Sequence, residues 1–493
     1  MTRLVQFFWR VGGIIMGIVI AVIVAYMALM LFIGWRASKS VKSSKDYLIG
    51  GRRFGVLLTS MAHQAAGLSG WLFTAWSAQV AGMGLAAVWT SISSGFAPFV
   101  NFFALAKKVS RFTALSGAKS FIDLLEARYY DEDKKFIRFI SAVIIFISIT
   151  VYMASQFMAA GTTFKVILGW DYKWAIILAT LIVTLYTSAG GFLAVVWTDF
   201  IQGILMIFAV LVGTYVVFNQ VGGVSDIFAA VAKANPAKMN IWINPLTIVG
   251  LLSAGLLGYM GQPQLVQMFM GMENPNDSRK SAMVAGCTGV FMLFVTLFIN
   301  MACTVLFPDS ADKNTNFIQL IMTYTPKFLV GVVTAAILAA VMSSADALMH
   351  VVNTTVCQDF YNKMIKKGQA DDRDVVRVGR VTALVVGVAA VWIAFNPFEG
   401  ILWVNWWAWG GLSTFAPVIL LGLYWKRATR EGAIAGLIGG FAGSAWWFAA
   451  GYYKILHLTF VAFFVAGILE VLVSLVTKEP PERVQKMVEQ LKD

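Results

Sequence analysis

The sequence predicts an all-α polytopic membrane protein of thirteen transmembrane helices with a core of two inverted five-helix repeats, and three observations carry that expectation. Of 493 residues, 59% are hydrophobic and only 13% charged, whereas soluble domains run near one quarter charged, so the chain cannot clothe itself in polar side chains. The apolar residues gather into thirteen runs of roughly the 20 residues needed to cross about 30 Å of hydrocarbon. Two of those runs are interrupted in mid-span, five spans apart, by the same kind of glycine-rich polar segment.

The first run, 11–35, is too long for a signal peptide and leads into Gly34-Trp35-Arg36 rather than a small-residue cleavage site, so it reads as a retained span. Its continuous stretch from Val19 to Phe32 has none of the ten-residue alternation of a membrane β-strand. The second run, 55–80, carries the first interruption, His63-Gln64-Ala65-Ala66-Gly67-Leu68-Ser69-Gly70-Trp71. Runs at 84–106 and 136–164 follow. Only Gly190 and Gly191 separate those at 172–189 and 192–218; one bent helix of that length would overshoot the bilayer, so a tight hairpin is expected. The sixth run holds Trp197-Thr198-Asp199.

The seventh, 244–269, contains the second interruption, Gly255-Leu256-Leu257-Gly258-Tyr259-Met260-Gly261-Gln262-Pro263-Gln264, where the proline removes an N–H and the glycines favour unwinding. After 281–307, the ninth run, 327–356, holds Ser343, Ser344 and Asp346. The remaining runs are 375–395, 400–424, 432–452 and 457–477, and Glu479 to Asp493 reads as a solvated amphipathic helix. The division expected is an extra helix and loop at 1–54, a first repeat at 55–219, a second, inverted repeat at 244–425, and two peripheral helices with a tail at 426–493.

If loops alternate sides, 29 of the 38 Lys and Arg fall on one set. The positive-inside rule puts that set in the cytoplasm, with the N-terminus outside and the C-terminus inside; Arg3 and Arg10 at the outer N-terminus run against it, a small conflict beside the excess. The net charge of +13 is therefore topological. A nucleic-acid partner would need a basic face on a soluble domain, and no segment supplies one. Cys287, Cys303 and Cys357 lie in or beside apolar runs with no metal or redox spacing.

Polar groups at mid-span are tolerated only where they face protein, water or an ion. Matched interruptions in two blocks of five spans, an odd number that inverts one block against the other, mark a secondary transporter whose site lies near the midplane. Asp199 and Asp346 ask for a counter-charge, and with no Lys or Arg at that depth a bound cation is the economical one. Ser343 and Ser344 add hydroxyls about 100° apart, which meet one ion only at a helix crossing. His63, His350 and His457 are weaker signals: His63 could shuttle a proton but reads as a neutral hydrogen-bonded residue, and the tryptophans, including Trp403, Trp406, Trp407 and Trp409, read as packing or interface residues. No pore-filter repeat or catalytic triad appears, so channel and membrane-enzyme readings fall behind.

Taken in order, Tyr47-Leu48-Ile49-Gly50-Gly51-Arg52, Ser69-Gly70-Trp71, Gly190 through Asp199, Gly258-Tyr259-Met260-Gly261-Gln262-Pro263 and Ala339 through Ser344 resemble the sodium:solute symporter family, most closely its sodium/proline branch. The resemblance implies a leucine-transporter-like core and alternating access. It implies a sodium site made by Ala65, Leu68 and Ala340 carbonyls with Ser343 and Ser344 hydroxyls, Asp199 near the ion path, and no cofactor beyond the coupling ion. For the solute it implies Trp71, Tyr152, Tyr259 and Pro263, to which the polar Gln64, Ser69 and Gln262 of the interruptions are added. Two positions depart from the branch: Gly67 replaces an aspartate and Gly255 a tryptophan, the latter expected to widen the pocket. Proline or a related amino acid is the leading solute; a monocarboxylate, pantothenate or a sugar, and proton coupling, are the alternatives.

Overall fold

The computed structural model describes residues 2–491, with side chains from Gly17 onward. Arg3, Arg10, the first residues of the 11–35 run and the last two of the tail therefore lie outside the described side chains. The described residues are helical, with a single isolated β-bridge between Phe54 and Met272.

Each apolar run is a helix or a broken pair of helices. In chain order they are α1 (Thr2–Ser38), α2 (Val56–Leu68), α3 (Ala75–Met83), α4 (Val88–Asn101), α5 (Phe121–Tyr129) and α6 (Phe136–Leu168). Next come α7 (172–190) and α8 (192–220), then α9 (Pro245–Leu256), α10 (Pro263–Met270), α11 (Ser278–Leu306), α12 (Lys327–Thr354) and α13 (Asp372–Phe395). The set closes with α14 (Ile401–Ser413), α15 (Phe415–Tyr424), α16 (Arg430–Ala449), α17 (Leu458–Val476) and α18 (Glu482–Glu489). Ten helical stretches among the described residues are long and apolar enough to cross a membrane. That number differs from thirteen because 172–220 is one stretch by hydrogen bonding and because the runs at 55–80 and 244–269 are each interrupted.

The expected hairpin at Gly190–Gly191 is present and uses one non-helical residue. Gly191 adopts φ 56° and ψ −150°, a conformation open to glycine, and a β-carbon there would sit 2.6 Å from the Tyr47 carbonyl oxygen. The reversal is visible in one contact. Tyr186 and Thr198, on opposite sides of Gly191, both donate to Asp346 Oδ2, at 2.8 and 3.2 Å, although a straight helix would hold them about 18 Å apart.

Helix α12 is the axis of the bundle. Its span is 83% buried, against 28% for α17, and it packs on α1, α2, α6, α7, α8 and α13. The amphipathic tail helix expected at the C-terminus is α18: it turns Val484 and Val488 inward and ties itself to loops by exposed ion pairs, Lys426–Glu489 at 3.0 Å and Arg483–Glu132 at 3.4 Å.

Candidate functional site

The second span fails as a helix at Ser69. Its φ of 56° is uncommon for a residue with a β-carbon, at a cost of about 1–3 kcal/mol, so other groups must hold the break open. Ser69 Oγ accepts from the Trp71 N–H at 3.2 Å, the Gly70 N–H donates to Gln156 Oε1 at 3.2 Å, and Thr74 Oγ1 donates to the Gly70 carbonyl at 2.8 Å. The turn Gly70–Phe73 separates α2 from α3.

Helix α12 crosses α2 just before this break. Ser343 Oγ lies 3.1 Å from the Ala65 carbonyl and 3.1 Å from that of Ala340; Ser344 Oγ lies 2.8 Å from the Ala66 carbonyl. Both adjacent hydroxyls thus reach the partner helix. Four of the five expected ion-site residues, Ala65, Ala340, Ser343 and Ser344, converge here, and Ser344 pairs with Ala66 rather than with Leu68. The donor set is neutral oxygen, which suits a hard cation of low charge. Among the described residues no group of His, Cys, Asp and Glu could hold a metal ion.

Asp199 lies on the acidic side of the same crossing. It is fully buried, its carboxylate rests against that of Asp346, and neither of its oxygens has a hydrogen-bond donor among the described residues. Asp346 Oδ2 takes the Tyr186 and Thr198 hydroxyls, while its Oδ1 has no donor. Two abutting carboxylates in a low-dielectric interior need a cation or a shared proton, because like charges at contact cannot both stay bare.

The second break is built differently. Helix α9 ends at Leu256, Gly258–Gly261 form a tight turn, and Pro263 opens α10 at its first turn, where a missing N–H costs nothing. Asn101, on α4, joins the two interrupted spans: its Nδ2 donates to the Tyr259 carbonyl at 3.3 Å and meets His63 Nε2 at 3.2 Å. His63 is hydrogen-bonded as expected, and it stacks on Phe269 with ring centroids 5.4 Å apart.

A cavity of about 20 Å³ lies between the breaks, lined by Ser69, Trp71, Tyr259, Asn405, Trp406 and Trp409 among others. That holds about one water, so aromatic rings fill the space in this conformation. Tyr259 and Trp409 meet edge to face at 5.3 Å, and Tyr152 stands behind Trp409 at 6.3 Å. The indole N–H groups of Trp71 and Trp409 and the Tyr152 hydroxyl are buried without a hydrogen-bond partner among the described residues. Indole N–H groups without a protein partner at an aromatic pocket suit a small solute bearing an oxyanion.

Of the expected solute residues, Ser69, Trp71 and Tyr259 line the cavity and Tyr152 backs it. Gln64 points elsewhere, toward Gly289 on α11. Gln262 accepts from Gln264, and neither it nor Pro263 lines the cavity. The expected widening at Gly255 is corrected: a β-carbon there would lie 2.5 Å from the Ser93 carbonyl carbon, and the Gly255 N–H donates to Ser93 Oγ at 2.7 Å. Gly255 is a contact between helix backbones, and Leu251 and Ala254 form that part of the wall. At Gly67 the Tyr259 ring fills the space, its hydroxyl donating to the Gly67 carbonyl at 3.0 Å. Sequence reasoning missed Asn101, Gln156 and Asn405, and passed over Trp406 and Trp409 within a tryptophan-rich run.

Comparisons with known proteins identify the family and the fold. A model of the sodium:solute symporter family matches residues 47–440. The osmoregulated proline transporter OpuE of Bacillus subtilis is 33% identical over 92% of this chain and 94% of its own length. The high-affinity proline transporter PutP of the same organism is 32% identical over 92% and 97%, and a Staphylococcus aureus sodium/proline symporter is 30% identical over 96% and 95%. A solved substrate-bound, outward-open Na⁺-coupled sialic acid symporter superposes with a TM-score of 0.80 at 21% identity, covering 94% of this chain and 99% of that one. The last likeness establishes the fold, a leucine-transporter-like helical membrane architecture.

Proposed function

This chain belongs to the sodium:solute symporter family, and from that premise we propose that it imports proline or a closely related amino acid together with sodium by alternating access. The observation that carries the reading is the crossing of α2 and α12, where the Ser343 and Ser344 hydroxyls sit on the Ala65 and Ala66 carbonyls. Those oxygens can replace the water of a dehydrated alkali ion, and an ion between the helices ties α12 to the break that shapes the solute pocket. Binding free energy at one site is then spent on the geometry of the other, and by linkage each ligand raises the affinity for its partner.

The proline-type relatives share the solute class, and the pocket favours it: aromatic faces for a small ring, spare N–H and O–H groups for a carboxylate, and the interrupted backbone beside both. In this reading Ser69, Trp71, Tyr152 and Tyr259 contact solute, Gln64, Gln262 and Pro263 support the breaks, and Leu68 contributes a backbone carbonyl to the ion. Asp199, with Asp346, forms the acidic stretch of the ion path. Thirteen crossings divided at 1–54, 55–219, 244–425 and 426–493, with the N-terminus outside and the C-terminus in the cytoplasm, complete the proposal.

Uptake by purified protein in proteoliposomes tests it. Labelled proline is expected to accumulate under an inward sodium gradient and not when choline replaces sodium. Accumulation driven by a pH gradient in sodium-free buffer selects a proton carrier instead. A panel of monocarboxylates, pantothenate and sugars tests the solute.

A further inference from the structure

We propose that the surface around α13 is a binding site for one anionic phospholipid. Two cavities of about 390 Å³ each flank this helix, and Arg377 lines both. The first is charged: Lys42, Arg373, Arg377 and Arg380 surround it, with Asp372 as its one carboxylate. Asp372 is already engaged, its Oδ2 accepting the Ser44 N–H at 3.0 Å.

The four cations have capacity to spare. Lys42 and Arg373 form no ion pair among the described residues. Arg377 pairs with Asp374 at 3.3 Å across a largely exposed gap, a weak contact in solvent. Arg380 gives one N–H to the Ser188 carbonyl at 3.3 Å and keeps four donors of its fork free. This is a site for a phosphate oxyanion.

The second cavity explains why that phosphate belongs to a lipid. It is lined by hydrocarbon, with Phe146, Val356, Val378, Val381 and Val385 forming most of its wall. Val381, Val385 and Val388 then continue along the outer face of α13, each more than half exposed. A free phosphate or a sugar phosphate has no use for such a groove. A phospholipid would set its headgroup in the first cavity and an acyl chain in the second, with Arg377 at the glycerol level between them. The site also lies at the edge of the molecule that carries most of its basic loops, where anionic headgroups collect.

The test uses the full chain in nanodiscs of phosphatidylcholine with and without phosphatidylglycerol, followed by native mass spectrometry of retained lipid. One phosphatidylglycerol is expected to be retained in preference to phosphatidylcholine. The R373Q/R380Q variant is expected to weaken that retention by roughly tenfold or more, and Val381→Trp, which fills the groove without touching charge, is also expected to weaken it. The charge-matched K134Q/R279Q variant, altered in other loops, is expected to bind as the parent does. Equal retention in R373Q/R380Q and parent overturns the proposal, as does an equal loss in K134Q/R279Q, which would mark nonspecific attraction. Competition by inorganic phosphate with no effect of Val381→Trp overturns the lipid assignment, leaving a bare anion site.

Discussion

The two interrupted helices are broken by different means. At the first, no proline intervenes; Ser69 takes a positive φ, the Gly70 N–H after it is held by Gln156, and the Ala65 and Ala66 carbonyls rest under the hydroxyls of α12. At the second, Pro263 and a tight turn interrupt the helix, and Gly261 is jammed against the junction of α14 and α15, a β-carbon there falling 2.5 Å from the Leu412 carbonyl oxygen. A break held by exchangeable polar contacts can answer to an ion; a break held by covalent geometry and steric contact can only act as a fixed hinge. On the proposed reading, the ion-sensing half and the bracing half are told apart by what fills the gap, polar partners or backbone.

Five substitutions sharpen or destroy this contrast, ordered by expected effect. Gly261→Val should be the most damaging, because the atoms a β-carbon would meet are backbone atoms of Leu412, Ser413 and Ala416 that cannot yield; an overpacking cost of about 1–3 kcal/mol or more is expected, read as a large drop in unfolding temperature. A normally stable Gly261→Val protein would deny the second break its rigid character. Ser343→Ala and Ser344→Ala should fold normally yet raise the sodium concentration for half-maximal uptake by roughly tenfold or more, the scale of one lost bond to a charge, about 1.5–3 kcal/mol. Unchanged sodium dependence in both removes them from the ion site.

Gln156→Leu strips the Gly70 N–H of its acceptor. The cost of a buried unpaired donor, about 1–3 kcal/mol, should appear as a several-fold rise in solute KM, with a smaller shift in sodium dependence. If sodium dependence moves more than solute KM, Gln156 serves the ion rather than the pocket. Trp409→Phe keeps a ring against Tyr259 and removes one N–H; a loss of solute affinity of roughly threefold to tenfold is expected, about one neutral hydrogen bond, with sodium dependence unmoved.

Much of this is legible in the chain alone. Apolar runs, the glycine pair at 190–191 and the two polar interruptions each violate or obey the lipid rule locally, so they can be read residue by residue. Ser343 and Ser344 stood out because hydroxyl pairs are costly in an apolar span unless they have partners. The partners themselves were not legible. Gln156 reaches Gly70 across 86 positions and Asn101 reaches Tyr259 across 158, and nothing periodic in the sequence records such a pairing. Gly255 shows the converse error: a missing side chain reveals a lost volume but not the direction in which it would have pointed. Trp409 was hidden by its neighbours, since four tryptophans within seven positions look alike until one of them faces the cavity.

The single amide of Asn101 touches both interrupted helices at once, through His63 on one and the Tyr259 backbone on the other. Its worth is best judged as fidelity. When two half-helices relax separately, a carrier admits its driving cation with no cargo aboard and dissipates the electrochemical gradient as a leak; when one clasp makes them move together, empty crossings become rare and the gradient is converted into accumulated cargo.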